Sequence, residues 1–202
     1  MSGGRWERVK LSFAAGLQVE FSGRGKALRL VEELADRGTG LPLVVFGPEG
    51  CGKTALLVQA RAILESYGYS VLYVSASSRR YGFIAFSGGL REVVAQALSR
   101  LGVTLALEGP SVSVPALAAA LLPFELVNLA KRERRVALLI DDVFQAIGLD
   151  EVEGYVKTAL NIIEYPPWSY ERVVVIMATS EGVSRGRIGR HRWAALRPMW
   201  NM

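Results

Sequence analysis

The chain has 202 residues, of which 50% are hydrophobic, and its formal net charge is +5. This length suffices to bury the core of one domain without disulfides or a structural metal. The single cysteine and the single histidine exclude a disulfide framework, a cysteine-rich or histidine-based metal site, and a Ser/His/Asp triad.

The N-terminal part of the chain predicts short strands followed by a helix. Apolar and polar residues alternate from 8 to 21 around Gly16, which indicates a β-hairpin or two edge strands. Apolar residues at helical spacing from 27 to 34 predict the first helix, which ends at Gly38. Neither a signal segment nor an apolar stretch of membrane-spanning length is present in the sequence, so we expect a cytoplasmic protein that does not contact a membrane.

The next segment has the pattern of a phosphate-binding loop. Apolar residues from 41 to 46 predict a buried strand, GPEGCGKT follows at 47 to 54, and helical spacing continues from 53 to 67. In such a loop the backbone N–H groups surround the phosphates, the lysine contacts the β- and γ-phosphates, and the threonine hydroxyl binds Mg²⁺. We therefore predict a nucleoside triphosphate site formed by Gly47, Pro48, Glu49, Gly50, Cys51, Gly52, Lys53, Thr54 and Ala55.

The middle of the chain predicts one strand and two helices. Residues 71 to 74 form an apolar run typical of a buried parallel strand, whereas 75 to 87 have no clear period. Apolar residues from 90 to 101 have helical spacing, and 103 to 115 are expected to form an exposed loop. A further helix follows, and Pro123 is expected to kink or split it.

Two carboxylates follow the third predicted central strand. Apolar residues from 136 to 140 lead directly into Asp141 and Asp142, and a helix is predicted from 151 to 165. Because ligands of parallel sheets bind at the carboxyl ends of strands, we expect this pair beside the phosphate loop. Asp141 is predicted to orient the hydrated Mg²⁺ through water, and Asp142 to align or activate the attacking water. The alternative is a pair of solvated acids that cap a helix.

The fourth predicted strand, from 173 to 177, leads into residues that carry hydroxyl groups. Thr179 is our candidate for a hydrogen bond to the attacking water or to the γ-phosphate, and Ser180 is the second candidate. Either residue is alternatively an ordinary cap of the next helix. A short segment between Trp193 and Trp200 is a candidate fifth strand.

A basic tract follows the fourth strand. It comprises six residues within thirteen positions: Arg185, Arg187, Arg190, His191, Arg192 and Arg197. An arginine near a γ-phosphate stabilises the charge of phosphoryl transfer, and Arg185, Arg187 and Arg190 are candidates, Arg185 first. The alternative is a patch that faces solvent, a partner or nucleic acid, which the positive net charge permits.

These motifs together resemble a known family. Phe21-x-Gly23-Arg24, the loop at 47 to 54, LLIDDVFQAIG, IEYPP and ATSEGVSR followed by IGRHRW are similar to archaeal P-loop ATPases of the AAA+/STAND type. The resemblance implies an α/β fold, a three-layer sandwich with a mostly parallel five-stranded sheet in the order 5-1-4-3-2. It also implies ATP and Mg²⁺ as ligands, conformational change driven by the nucleotide, and a helical lid after the core. We expect the lid to be absent from these 202 residues, as in a truncated or a natural minimal form of the ATPase.

We interpret the whole chain as one ATPase core domain. Residues 1–26 are expected to form N-terminal strands, 41–180 the nucleotide-binding core, and 181–202 a basic segment leading to the lid. The resemblance implies that the segment near Phe21 and Arg24 lies beside the adenine. The alternative for Arg24 is a surface salt bridge. Adenine is also favoured because the chain lacks the Asn/Thr-Lys-x-Asp motif that reads guanine.

Two functions are favoured by these residues. The first is an Mg²⁺-dependent ATPase that acts as a switch or motor subunit, in which slow hydrolysis is expected because Asp142 reaches less far than a glutamate. The alternative is a nucleic-acid-associated module whose basic surface is regulated by ATP with little hydrolysis. A phosphotransferase is a distant third. The expected partners are ATP, further copies of the chain, and nucleic acid through residues 185–197.

Overall fold

The computed structural model describes residues 6–14, 16–76, 80–129, 134–148, 150–166, 170–180 and 195–198. Within these residues the chain alternates strands and helices, as the sequence predicts. In chain order the elements are β1 Lys10–Ala14, β2 Leu17–Glu20, α1 Gly25–Arg37, β3 Leu43–Gly47, α2 Lys53–Ser66, β4 Ser70–Ser75, β5 Tyr81–Phe86, α3 Arg91–Arg100, β6 Ser111–Pro115, α4 Ala116–Leu129, β7 Arg135–Asp141, α5 Phe144–Ile147, α6 Val152–Glu164, β8 Arg172–Ser180 and β9 Ala195–Pro198.

The strands form two sheets. The predicted N-terminal hairpin is confirmed, since β1 and β2 pair antiparallel as a separate two-stranded sheet. The central sheet has seven strands in the order β6-β5-β4-β7-β8-β3-β9. Its parallel part is β4-β7-β8-β3-β9, and β5 and β6 extend the β4 edge in antiparallel fashion. The prediction of a five-stranded sheet in the order 5-1-4-3-2 is therefore wrong for the sheet as a whole, because the predicted sheet lacks the antiparallel strands β5 and β6.

The two unpredicted strands have weak sequence signals. β6 is a short edge strand that contains serines, and it lies in the segment predicted to be an exposed loop. In β5, Gly82 breaks the run of strand-forming residues, but it has a packing role. A β carbon at Gly82 would overlap the side chain of Ala119 in α4, so the glycine allows the helix to lie close to β5.

Helices cover both faces of the sheet. Successive side chains of a strand point to opposite faces, so Val45 packs in the cluster with α1 and α2 whereas Val44 packs in the cluster with α3, α4 and α6. On α2 the buried side chains are Leu56, Leu57, Gln59, Ala60, Ile63 and Leu64. Each fully buried leucine or isoleucine contributes about 1.5–3 kcal/mol, so α2 is held firmly against the sheet.

The proline in α4 does not divide the helix. Of the kink or split expected at Pro123, the split is wrong, since one helix runs from Ala116 to Leu129 with Pro123 inside it. An interior proline costs about 3 kcal/mol in an isolated helix. Here Leu122 and Leu126 are fully buried beside it, and this packing offsets the cost. None of the helices in the described ranges is sufficiently long and apolar to span a bilayer.

Candidate nucleotide-binding site

The phosphate loop joins β3 to α2 as the sequence predicts. Gly50 and Gly52 have φ angles of 77° and 93°, which lie in the left-handed region that glycine adopts without a steric penalty. These two residues let the chain turn sharply before Lys53, the first residue of α2. The N-terminus of α2 then presents unpaired N–H groups and a partial positive charge, which together favour a phosphate.

Lys53 lies folded over its own loop. Its Nζ donates hydrogen bonds to the carbonyl oxygens of Gly47, at 2.8 Å, and Pro48, at 2.9 Å. The same Nζ lies 3.9 Å from Sγ of Cys51. The ammonium is thus held beside the loop by neutral acceptors. A phosphate oxygen, which is a charged and therefore stronger acceptor, would replace them.

Asp141 lies at the end of β7 and accepts two hydrogen bonds on one oxygen. Oγ1 of Thr54 donates to its Oδ2 at 2.8 Å, and the hydroxyl of Tyr73 donates to the same atom at 2.9 Å. The residue is only 4% exposed. Burial raises the pKa of Asp141, and the charge of Asp142 acts in the same direction, whereas the hydrogen bonds from Thr54 and Tyr73 and the charge of Lys53 oppose the rise.

The hydroxyl of Thr54 and the carboxylate of Asp141 fit a magnesium ion. Both are oxygen donors, and they come together from two separate elements, α2 and β7. Mg²⁺ is commonly held by one or two such side chains together with phosphates and water. The donor set of this chain therefore matches the predicted cofactor.

Asp142 has an unusual backbone conformation. Its φ of 51° places a residue other than glycine in the left-handed region, and its N–H donates to the carbonyl oxygen of Ala178 at 2.9 Å. Aspartate tolerates this region better than most residues, but the conformation still stores strain. The strained turn directs Asp142 to the cavity beside Asp141.

A cavity of about 530 Å³ lies over these groups. This volume falls within the usual range of small-molecule sites, about 300–1,000 Å³. It brings together eight of the predicted site residues and three that the sequence did not indicate. Its described lining is Leu11, Ser12, Glu49, Gly50, Gly52, Lys53, Thr54, Ala55, Ser75, Asp141 and Asp142.

Tyr73 was not predicted as a site residue. It lies in the apolar run of β4, where an aromatic residue is ordinarily read as core. The available signal was its hydroxyl group, because a buried tyrosine needs a hydrogen-bond partner. The neighbouring strand β7 supplies that partner through Asp141, whose Cα pairs with Ser75.

The two hydroxyl residues at the end of β8 point to opposite faces of the sheet. Thr179 is fully buried, and its Oγ1 lies 3.4 Å from the carbonyl oxygen of Ser180. Met177 packs in the cluster with α3, α4 and α6, and Ala178 packs in the cluster with α1 and α2. Strand alternation therefore places Thr179 on the face away from α2 and Ser180 on the face that carries the loop and Asp141. Contact of Thr179 with a γ-phosphate stays a prediction.

The part of the chain that the structure describes does not include the side chains of the predicted arginines. Arg185, Arg187, Arg190, His191 and Arg192 lie outside the described residues, and so does the side chain of Arg197. A different arginine contacts the loop. Arg24, with a left-handed φ of 53°, donates from its guanidinium to the carbonyl oxygen of Cys51 at 3.3 Å.

The fold and the loop define the class of protein. P-loop proteins have a glycine loop between a parallel strand and the helix that follows it. Here that loop joins β3 to α2, and Asp141 ends β7, which is separated from β3 by the single strand β8. Residues 21–202 match a family described as an ATPase domain predominantly from Archaea, and the chain belongs to this family. The recognition of an archaeal P-loop ATPase from sequence motifs is thereby confirmed. No match is found among the curated proteins.

Several solved structures are distantly similar. AMPPCP-bound DnaA from Aquifex aeolicus has 22% identity and a TM-score of 0.45, and the match covers 89% of this chain and 48% of that one. Drosophila ORC bound to GC-rich DNA and Cdc6 has 12% identity and a TM-score of 0.41, with coverages of 86% and 52%. C. elegans PCH-2 has 14% identity and a TM-score of 0.41, with coverages of 86% and 40%. This chain thus spans between 40% and 52% of the matched chains, and the likeness is too distant to indicate function.

Proposed function

We propose that this chain is an Mg²⁺-dependent ATPase of the AAA+/STAND type that acts as a nucleotide-driven switch or motor subunit. The observation that carries the proposal is the hydrogen bond of 2.8 Å between Thr54 and Asp141. It joins the phosphate-binding helix to the acidic end of β7, so that groups suited to phosphates and to a metal share one cavity. Membership in an ATPase family supports the same conclusion.

The loop and Lys53 bind the triphosphate. Backbone N–H groups at the start of α2 donate to phosphate oxygens, and the ammonium of Lys53 leaves the carbonyl oxygens of Gly47 and Pro48 to contact the β- and γ-phosphates. Thr54 and Asp141 would hold Mg²⁺, Asp141 through water. When bound, the ion neutralises the charge that develops on the transferred phosphoryl group.

Asp142 acts on the attacking water. Its carboxylate lines the cavity next to Asp141, where it can align a water molecule and accept its proton. The water oxygen bonds to the γ-phosphorus, the bond to the oxygen bridging the β-phosphate breaks, and ADP leaves with the electron pair of that bond. Because Asp142 is shorter than glutamate, we expect slow turnover.

Three further residues are proposed to contact the γ-phosphate or the water. Thr179 is the residue that the motifs favour, and Ser180 is the second candidate because β8 places it on the loop face of the sheet. Arg185 is proposed to stabilise the charge of the transferred group, from the same chain or from a neighbouring copy in a homo-oligomer.

Phosphate release tests the hydrolase proposal. We expect Lys53→Ala and Asp142→Asn each to lower the rate about 10²–10³-fold, as the loss of a group that acts on the developing charge does elsewhere. Matched controls are Lys26→Ala and Asp36→Asn, which remove the same charges from exposed positions of α1. If both site variants release phosphate at the wild-type rate, the chain is not an ATPase of this kind.

A second candidate function is a nucleic-acid-associated module that ATP binding regulates. The observation in its favour is the net charge of +5, which includes the arginines between 185 and 197. Binding to duplex DNA should then weaken as the salt concentration rises. Neutralisation of Arg187, Arg190 or Arg192 should also weaken it, and each substitution should lower the slope of log affinity against log salt concentration by about one. Absence of binding even at low salt would reject this function and leave the ATPase proposal intact.

A further inference from the structure

The β1–β2 hairpin lies outside the family match but borders the nucleotide cavity. The match begins at residue 21, whereas β1 covers Lys10–Ala14 and β2 covers Leu17–Glu20. Leu11 and Ser12 of β1 nevertheless line the cavity together with the phosphate loop. Part of the wall of this site is therefore built by residues that precede the family match.

The base of the hairpin is fastened to the phosphate-binding helix. Gln59 of α2 is fully buried, and its Oε1 accepts a hydrogen bond from the N–H of Val9 at 2.8 Å. Its Nε2 donates to the carbonyl oxygen of Glu7 at 3.0 Å. The indole N–H of Trp6 also donates to Glu32 of α1, at 2.8 Å. These bonds fix the position of the hairpin relative to α2, whose first turn carries Lys53 and Thr54.

The described lining of the cavity contains two kinds of side chain. Most of its lining is polar, charged or glycine, which suits phosphates and a metal ion. Apart from the glycines, the apolar side chains of the described lining are Leu11 and Ala55. Ala55 directly follows Thr54, in the turn of α2 that is nearest to the α-phosphate in a phosphate loop. A nucleoside attached to that phosphate presents apolar faces, and Leu11 offers them a partly buried apolar surface.

We propose that the hairpin completes the nucleoside end of the site, with Leu11 packed against the base or ribose and Gln59 holding the hairpin in place. The proposal rests on the function proposed above and adds a binding element to it. It follows that the hairpin contributes to affinity for ADP and ATP but not to affinity for the phosphates alone.

Calorimetric titration of Leu11→Ala with Mg²⁺-ADP and with Mg²⁺-pyrophosphate tests this proposal. Removal of the leucine surface should weaken ADP binding about 5- to 20-fold and leave pyrophosphate binding unchanged. Leu11→Met, which preserves volume, should retain ADP affinity. Leu17→Ala is the matched control, because this leucine of the same hairpin is 53% exposed and is not part of the described lining.

A second variant addresses the attachment. Gln59→Met retains the length of the side chain but removes both hydrogen bonds to the backbone of Glu7 and Val9. We expect ADP to dissociate about tenfold faster from this variant in stopped-flow experiments, since a lost buried hydrogen bond is worth about a factor of five to ten and only part of the loss of two such bonds reaches the bound nucleotide. The helical content of the variant, measured by circular dichroism, should stay at the wild-type level.

The outcomes distinguish the two proposals. If wild-type protein binds no ADP, the proposed function fails. If ADP binds and Lys53→Ala abolishes that binding, while Leu11→Ala and Gln59→Met leave it unchanged, the hairpin proposal alone is overturned. Equal weakening of ADP and pyrophosphate by Leu11→Ala would also overturn it, because the phosphate loop rather than the nucleoside end would then be affected.

Discussion

Tyr73→Phe removes one of the two hydrogen bonds that Oδ2 of Asp141 accepts and leaves the ring in place. A hydrogen bond to a charged group contributes about 1.5–3 kcal/mol. That free energy favours the ionised carboxylate, so its loss raises the pKa of Asp141 beyond the rise that burial already causes. The substitution also removes one of the two hydrogen bonds that fix the orientation of the carboxylate.

The consequence for a magnesium site is quantitative. Because each 1.4 kcal/mol is a factor of ten, the half-saturating Mg²⁺ concentration for ATP hydrolysis should rise about tenfold or more in Tyr73→Phe. The pH dependence should change as well. Hydrolysis needs ionised Asp141 and falls as pH falls through its pKa, so a higher pKa moves the acidic limb of the profile to higher pH.

Rates measured against Mg²⁺ concentration at several pH values provide the assay. Tyr69→Phe is the matched control, because Tyr69 is also a buried tyrosine in the cluster with α1 and α2 but donates to the carbonyl oxygen of Ala35 at 2.9 Å. The control should leave both the Mg²⁺ dependence and the acidic limb unchanged. An unaltered Mg²⁺ requirement and acidic limb in Tyr73→Phe would refute the reasoning.

Three further predictions concern stability. Asp141→Asn should abolish hydrolysis yet raise the melting temperature measured by calorimetry at neutral pH. Burial raises the pKa of Asp141 in the folded state, so the ionised carboxylate destabilises the fold at pH values above that pKa. A lower melting temperature would contradict this reasoning. Asp142→Gly should stabilise the protein by about 1 kcal/mol in urea unfolding by relieving a left-handed φ, and no gain would mean that no strain is stored there. Gly82→Ala should lower the free energy of unfolding by about 1–3 kcal/mol, because the added methyl group overlaps Ala119. Gly154→Ala, at an open position within α6, should raise it by about 0.5–1 kcal/mol. Equal effects of the two substitutions in urea unfolding would reject the packing argument.

The phosphate loop and the acidic end of β7 were predictable because their signals are local. The glycines, Lys53 and Thr54 are contiguous, and Asp141 directly follows an apolar run, so strand-end placement alone brings it near the loop. The hydrogen bond from Thr54 to Asp141 requires in addition that β7 lie near β3 in the parallel sheet, and only β8 separates the two strands.

Other parts of the site depend on contacts between distant segments. The bond from Tyr73 to Asp141 needs β4 to lie next to β7, and the wall that Leu11 contributes needs a hairpin to lie on α2. Neither arrangement has a local sequence signal. Thr179 and Ser180 differ by one position, and a pattern of hydroxyl residues at the end of a strand does not tell which of them faces the loop.

The strands β5 and β6 escaped prediction for a similar reason. Their hydrophobic pattern is interrupted by Gly82 and by serines, and both strands are stabilised by pairing at the edge of a sheet that is already formed. β-propensity reflects this context more than the intrinsic preference of the residues.

The attachment of the hairpin has a consequence for how this chain can vary. Gln59 binds only main-chain atoms of Glu7 and Val9, so substitutions of those two side chains leave both hydrogen bonds available. The hairpin can therefore change the surface that it offers to a ligand and still keep these two hydrogen bonds to α2. One retained amide would be enough to keep a changed wall beside an unchanged phosphate loop.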